Sequence, residues 1–267
     1  MTGSLPPILL VGGGKMGGAM LAGWRERGMA PSVVIDPADA ASILAGGPVE
    51  VLASARSAPA GFRPAAVVLA VKPQMAEEAI PAAAPLFGNG VILSIMAGKT
   101  VAGLRRLVGE GRPVVRAMPN TPAAVRQGIT VAFAGPEVTA AQRALCHTLL
   151  EAIGVVDWVE DEALIDPVTA VSGGGPAYVF LLAEVMEQAA IEQGIPAPLA
   201  RKLARETVSG SGALLAASDQ DAADLRIAVT SPGGTTQRAL AVLMETWPGV
   251  MSRAIQAATE RSRELGG

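Results

Sequence analysis

The segment Thr230-Ser231-Pro232-Gly233-Gly234-Thr235-Thr236 carries the strongest chemical signal in this 267-residue chain, and it lies between two helix-patterned stretches. A glycine-rich turn that opens a helix leaves backbone N–H groups without partners. With the positive end of the helix dipole, those groups form an anion site. The hydroxyls of Thr235 and Thr236 stand where they can hydrogen-bond whatever the anion is attached to. A small carboxylate is the expected occupant, with Ser231, Gly233, Gly234, Thr235 and Thr236 as its contacts.

A second signal sits at the other end. Gly12-Gly13-Gly14-Lys15-Met16-Gly17 matches G-x-G-x-x-G, after an apolar segment at 7–11 and before a helical pattern. The first glycine allows a tight turn, the second lets the backbone approach a pyrophosphate, and the third permits close helix–strand packing. Gly12, Gly14, Lys15, Met16 and Gly17 are therefore expected at a dinucleotide. The next apolar segment, 32–35, ends at Asp36, which is the spacing at which such folds hold the adenosine ribose.

Other chemistry is excluded by what is missing. His147 is the only histidine and Cys146 the only cysteine. With one of each, a zinc site, a Ser-His-Asp triad and a Cys-His pair are not expected, so no metal is expected and catalysis is read as working without imidazole. Both residues fall in one helical pattern, 141–153, with Cys146 read as a buried packing thiol and His147 as exposed.

These groups need a scaffold. Strand-like segments at 7–11, 32–35, 66–71, 91–95, 114–118 and 129–133 alternate mostly with helical ones. Strands apolar on both sides imply a parallel sheet covered on both faces. Ligands of such sheets bind beyond the C-terminal strand ends. Ala70, Val71, Lys72 and Pro73, then Ala97, then Asn120 fall there and are expected on the floor of a cofactor site. Past Asp161 the strand signals stop. Helical patterns follow at 176–193, 198–218, 221–229, 235–245 and 248–265, with Gly210 and Gly212 read as a close approach to another helix. The expected division is 1–161, a Rossmann-type dinucleotide domain, and 162–267, an all-helical dimerisation and substrate domain.

Half of the residues are apolar, 17% are charged, and the net charge is -3. A large core is possible, and nothing electrostatic favours nucleic acid. The fully apolar runs are far shorter than the ~20 residues a bilayer requires. No signal peptide is expected, and the compartment is read as cytoplasmic. The helical half carries more apolar surface than one subunit covers, which implies an obligate dimer.

Taken together, the motifs resemble the pyrroline-5-carboxylate reductase family. The resemblance runs from about Ile8 to Leu265. It rests on Gly12-x-Gly14-Lys15-Met16-Gly17, Ala70-Val71-Lys72-Pro73-Gln74, Arg116-Ala117-Met118-Pro119-Asn120-Thr121-Pro122, Ser172-Gly173-x-Gly175-Pro176-Ala177-Tyr178 and the Thr230-to-Thr236 segment. It implies reduction of L-1-pyrroline-5-carboxylate to L-proline with NADH or NADPH, the last step of proline biosynthesis. It also implies an active site shared by both subunits of a dimer, and dimers that assemble into rings. The family's substrate threonine falls on Thr236, the one candidate catalytic residue, and its nearby acidic residue falls on Asp219.

The chain departs from the family where the cofactor is chosen. After the second strand it has Asp36-Pro37-Ala38-Asp39, acidic where many relatives hold a 2′-phosphate with small polar and basic residues. Arg56, in Ser54-Ala55-Arg56-Ser57, is the one basic group expected near the adenosine. NADH is favoured from Asp36. Two alternatives fit the sequence less well. A β-hydroxyacid dehydrogenase needs a catalytic lysine, but Lys202, the only lysine past Lys99, lacks an asparagine one turn later. A non-catalytic dinucleotide sensor would not need the Thr-Thr turn.

Overall fold

Short apolar segments become the strands of one sheet. They are β1 (Ile8–Val11), β2 (Ser32–Ile35), β3 (Val49–Leu52), β4 (Ala66–Leu69), β5 (Val91–Ser94), β6 (Val114–Met118), β7 (Gly128–Ala134) and β8 (Gly154–Val159). The computed structural model describes residues 4–266. The strand order is β3-β2-β1-β4-β5-β6-β7-β8. Neighbours run parallel except β6 and β7, which pair antiparallel with Arg116 opposite Phe133. The connection 119–127 is too short for a parallel crossover, which needs a dozen or more residues. Antiparallel β7 is thus one departure from the expected sheet. β3 and β8 are two strands the sequence pattern did not reveal. Val49-Glu50-Val51-Leu52 is brief and carries a charge, and edge strand β8 leaves Val155 exposed.

Helices cover both faces. On one side α1 (Lys15–Arg27) buries Met20, Leu21 and Trp24, against Leu149 and Leu150 of a later helix. On the other, α2 (Ala76–Ala83) and α3 (Val101–Val108) bury Ile80, Ala83 and Leu104 around Phe87. The later helix is α4 (Ala140–Glu151), whose Leu149 carbonyl accepts from the Trp24 indole N–H at 2.8 Å. A full side chain at each of these sites is out of water, at roughly 1.5–3 kcal/mol for each large one.

Then come α5 (Ile165–Val168), a π turn (Thr169–Gly173), α6 (Gly175–Glu192), α7 (Ala197–Ala216), α8 (Ala222–Ala228) and α9 (Thr235–Gly266). The two helices expected at 235–245 and 248–265 are one helix of 32 residues, roughly 48 Å long at 1.5 Å per residue. Pro248 withholds only one backbone N–H, and the helix continues on both sides of it.

The chain forms two compact units: residues up to Gly173 with those from Ala258 onward, and Gly174–Ala257. The first break in packing falls after Gly173. Residues 162–173 stay with the sheet because Ile165 is buried there and because Glu162 and Asp166 pair with Arg116 of β6.

Within Gly174–Ala257, α6 packs along α7. Large apolar side chains remain open, among them Phe180, Leu181, Leu214, Val242 and Trp247. A Cβ added at Gly210 or Gly212 would meet nothing within 4 Å, so no helix of this chain makes the close approach expected there. The helical stretch Glu162–Glu192 is also long and apolar enough, by length and composition, to cross a membrane. Its uncharged part, 167–183, is interrupted by Thr169 and Ser172, so the sequence shows no uninterrupted apolar run of that length there.

Candidate functional site

The glycine fingerprint forms a cradle at the C-terminal end of β1. Gly12 has φ +100°, and a Cβ there would lie 2.8 Å from the Ala70 carbonyl group. A Cβ on Gly17 would lie 2.2 Å from the Gly12 oxygen, so α1 can approach the strand only without one. Gly14 precedes α1 with nothing within 4 Å of its would-be Cβ. It faces open space at a helix N-terminus, as the pyrophosphate reading requires.

A cavity of about 720 Å³ opens at this edge, lined by Gly12, Gly14, Asp36, Arg56, Val71 and Lys72 among others. Its size is in the range of small-molecule and cofactor pockets. Asp36 Oδ2 accepts the Gly13 N–H at 2.6 Å, and Oδ1 accepts the Ala38 N–H at 2.9 Å. Those bonds fix the carboxylate and leave further lone-pair positions on both oxygens. Arg56 is exposed on a 3-10 turn and has no ion-pair partner among the described residues. Ala70 also lines the cavity, whereas Lys15, Met16, Gly17 and Pro73 belong to its flanking elements and do not. The residues present fit a dinucleotide: a cradle only glycine can form, open helix N–H groups, and a carboxylate at the end of β2.

Ala97 and Asn120 lie beyond the ends of β5 and β6, on the same edge but outside that cavity. Ala97 is exposed. Asn120 is buried, and its Oδ1 accepts the Ile129 N–H at 3.0 Å, so it also pins the corner between β6 and β7. The sequence reading missed Met75 and Glu78, which line the cavity from the start of α2. Their place one turn after Lys72-Pro73 was the available signal, but an amphipathic pattern there reads first as sheet cover.

The second group of candidates lies in the helical unit. Gly233 has φ +74°, and its N–H donates to Gln237 Oε1 at 2.7 Å. The Gly234 N–H donates to the Ser231 carbonyl at 3.0 Å. The N–H groups of Thr235, Thr236 and Gln237 have no backbone acceptor among the described residues, as expected of a first helical turn. Thr235 is the first residue of α9 and Thr236 the second, so Thr236 is not the residue that caps the helix. Its hydroxyl is exposed and has no hydrogen-bond partner among the described residues. Asp219 is likewise exposed, in the connection between α7 and α8.

Two other groups are removed from the chemistry. Cys146 is buried, and burial pushes its thiol up to about 12, far from a thiolate at neutral pH. His147 accepts the Trp158 indole N–H at 3.2 Å and lies beside Glu151 on the outside of α4. No cluster of three or more metal-ligating side chains exists among the described residues.

Residues 162–265 match the pyrroline-5-carboxylate reductase dimerisation family, and residues 7–98 match the family described as NADP oxidoreductase coenzyme F420-dependent. The pyrroline-5-carboxylate reductase of Pseudomonas aeruginosa is 39% identical, over 98% of this chain and 97% of its own. That of Haemophilus influenzae is 35% identical over 97% of each. Among solved structures, the Coxiella burnetii pyrroline-5-carboxylate reductase superposes with a TM-score of 0.89 at 31% identity, covering 100% of both chains. The Plasmodium falciparum pyrroline carboxylate reductase, with NADP bound, gives 0.81 at 26% identity, over 98% of this chain and 99% of its own. By identity and coverage, the chain belongs to the pyrroline-5-carboxylate reductase family.

Proposed function

We propose that this protein reduces L-1-pyrroline-5-carboxylate to L-proline in the cytoplasm, as a dimer that assembles further into rings, using NADH in preference to NADPH. The observation that carries the reading is the open first turn of α9, whose three free N–H groups stand beside an unpartnered Thr236 hydroxyl. In this assignment the N–H groups of Thr235, Thr236 and Gln237 hold the substrate carboxylate. Ser231, Gly233 and Gly234 give the turn its shape, Thr236 orients the ring nitrogen, and Asp219 adds a polar wall.

The dinucleotide, when bound, supplies a hydride to the carbon of the C=N bond. The chain contributes binding and orientation. A cyclic imine is basic enough to arrive protonated, so no imidazole is required. The glycine cradle with Lys15 and Met16 receives the pyrophosphate, and Asp36 and Arg56 receive the adenosine ribose. Ala70, Val71, Lys72, Pro73, Ala97 and Asn120 form the remaining floor. Asp36 favours NADH because its fixed carboxylate would face a 2′-phosphate of like charge.

The exposed faces of α6, α7 and α9 support dimerisation. An open apolar surface of this extent marks an interaction site, and Gly210 and Gly212 leave room for a helix from a second copy. The charges on the stretch Glu162–Glu192 favour another protein over lipid as its cover. The experiment is turnover of pyrroline-5-carboxylate by purified protein with each dinucleotide. Absence of proline formation with both would overturn the assignment.

A further inference from the structure

We propose that the last turns of α9, through Ser262 and Leu265, position the Met96-Ala97-Gly98 loop for dinucleotide binding; this rests on the dinucleotide reading above. Arg116 of β6 is only 2% exposed, and a buried cation is tolerated only when paired and hydrogen-bonded. Its guanidinium donates to Glu162 Oε1 at 3.1 Å and to Asp166 Oδ1 at 3.2 Å. Both carboxylates then hold something else. Glu162 Oε1 also accepts the Val101 N–H at 2.8 Å, at the first residue of α3. Asp166 Oδ1 accepts from the Ser262 hydroxyl at 2.9 Å.

Leu265 completes the arrangement. A Cβ added at Gly98 would lie 3.1 Å from Leu265 Cβ and 3.2 Å from its carbonyl oxygen, and Gly98 has φ +70°. Only glycine adopts that conformation freely and also leaves room for α9. The second half of the connection from β5 to α3 is therefore held at two points, by Leu265 at Gly98 and by Glu162 at Val101. Exposed Ala97 immediately precedes the first of them. A loop already held in place costs less to order when a ligand binds. Leu265 and Glu162 thus meet the connection directly, while Ser262 and Asp166 reach it through Arg116 and Glu162. Ser262 and Leu265 are positioning residues: they reach the cofactor only through this loop.

The test is direct titration of NADH binding by fluorescence, without substrate, together with hydrogen exchange at Met96, Ala97 and Gly98. Ser262→Ala, and a chain ending at Glu264 and so lacking Leu265, are each expected to raise the NADH Kd about 3- to 10-fold and to speed exchange at those amides. Ser262→Thr restores both properties. Arg261→Ala, whose exposed side chain pairs with Glu264 alone among the described residues, leaves them unchanged. Variants that lose thermal stability alone, with wild-type Kd and wild-type exchange in the loop, overturn the proposal. Wild-type protein that binds neither NADH nor NADPH overturns the functional reading and this one with it.

Discussion

Asp36 accepts the Gly13 N–H at 2.6 Å, joining the end of β2 to the glycine turn after β1. The carboxylate proposed to select the ribose is thus built into the loop proposed to hold the phosphates. Because it is fixed, it cannot swing away from a 2′-phosphate. NADH should give the higher kcat/KM by about 10- to 100-fold, the equivalent of ~1–3 kcal/mol of like-charge repulsion. Asp36→Ser should narrow the gap, at some cost in loop stability from the lost bond. Equal efficiency with the two cofactors in the wild type would mean that Arg56 compensates.

Gly12 and Gly14 should fail differently. Gly12→Ala forces a Cβ against Ala70 backbone from a positive φ. The protein should lose at least about 1–3 kcal/mol of stability as well as cofactor binding. Gly14→Ala meets nothing within 4 Å and keeps an ordinary φ of -66°. Its melting temperature should stay near wild type while NADH affinity falls, because the added methyl group occupies pyrophosphate space. Calorimetry and NADH titration on the two variants separate these outcomes.

Thr236→Ala should lower kcat/KM for the imine at least about 10-fold, the equivalent of one hydrogen bond to a charged or polarised nitrogen, ~1.5–3 kcal/mol. NADH affinity should not change. Since Thr236 is the second residue of α9 with a partnerless hydroxyl, stability should move by no more than ~0.5 kcal/mol. Thr235→Ala keeps its backbone N–H and should retain carboxylate binding. Full activity in Thr236→Ala would remove the hydroxyl from the mechanism.

Glu26 pairs with Arg126, which has φ +61° and helps hold the corner after β6. The side-chain hydrogen bond from Arg126, seconded by its charge, lowers the Glu26 pKa from the ordinary 4.5. A carboxylate with a depressed folded pKa stabilises the fold above its unfolded pKa, and that contribution vanishes as pH falls through the folded value. The stability difference between wild type and Glu26→Gln should therefore be present at neutral pH and disappear below pH 4.5. Because the pair is exposed, high salt should shrink it as well. Urea unfolding across pH reads both effects, and a difference that persists in acid would contradict them.

Self-association should be tight. Phe180 and Val242 are both 67% exposed in one chain. Sedimentation at micromolar concentration should give a dimer or a multiple of it, and Phe180→Glu should weaken it. A stable, active wild-type monomer would overturn the dimer.

Local chemistry wrote much of this protein into its sequence. Gly12, Gly14 and Gly17 stood out as one spaced motif: close backbone approach admits little else at Gly12 and Gly17, and Gly14 leaves the space beside the helix start open. Asp36 stood out through its spacing from them, and the Thr230-to-Thr236 turn through its glycines at a helix start. Six of the strands were legible as short apolar runs, five of them buried along most of their length. Other features depended on partners distant in the chain. The antiparallel course of β7, the edge strands β3 and β8, and the docking of residues 162–173 on the sheet are decided by packing that no local pattern encodes. Pro248 looked like a break, yet α9 runs through it, since one missing hydrogen bond is a small loss in so long a helix. The Arg116, Glu162, Asp166 and Ser262 network was invisible for the same reason: burying one arginine required carboxylates and a hydroxyl that only the tertiary fold brings to it.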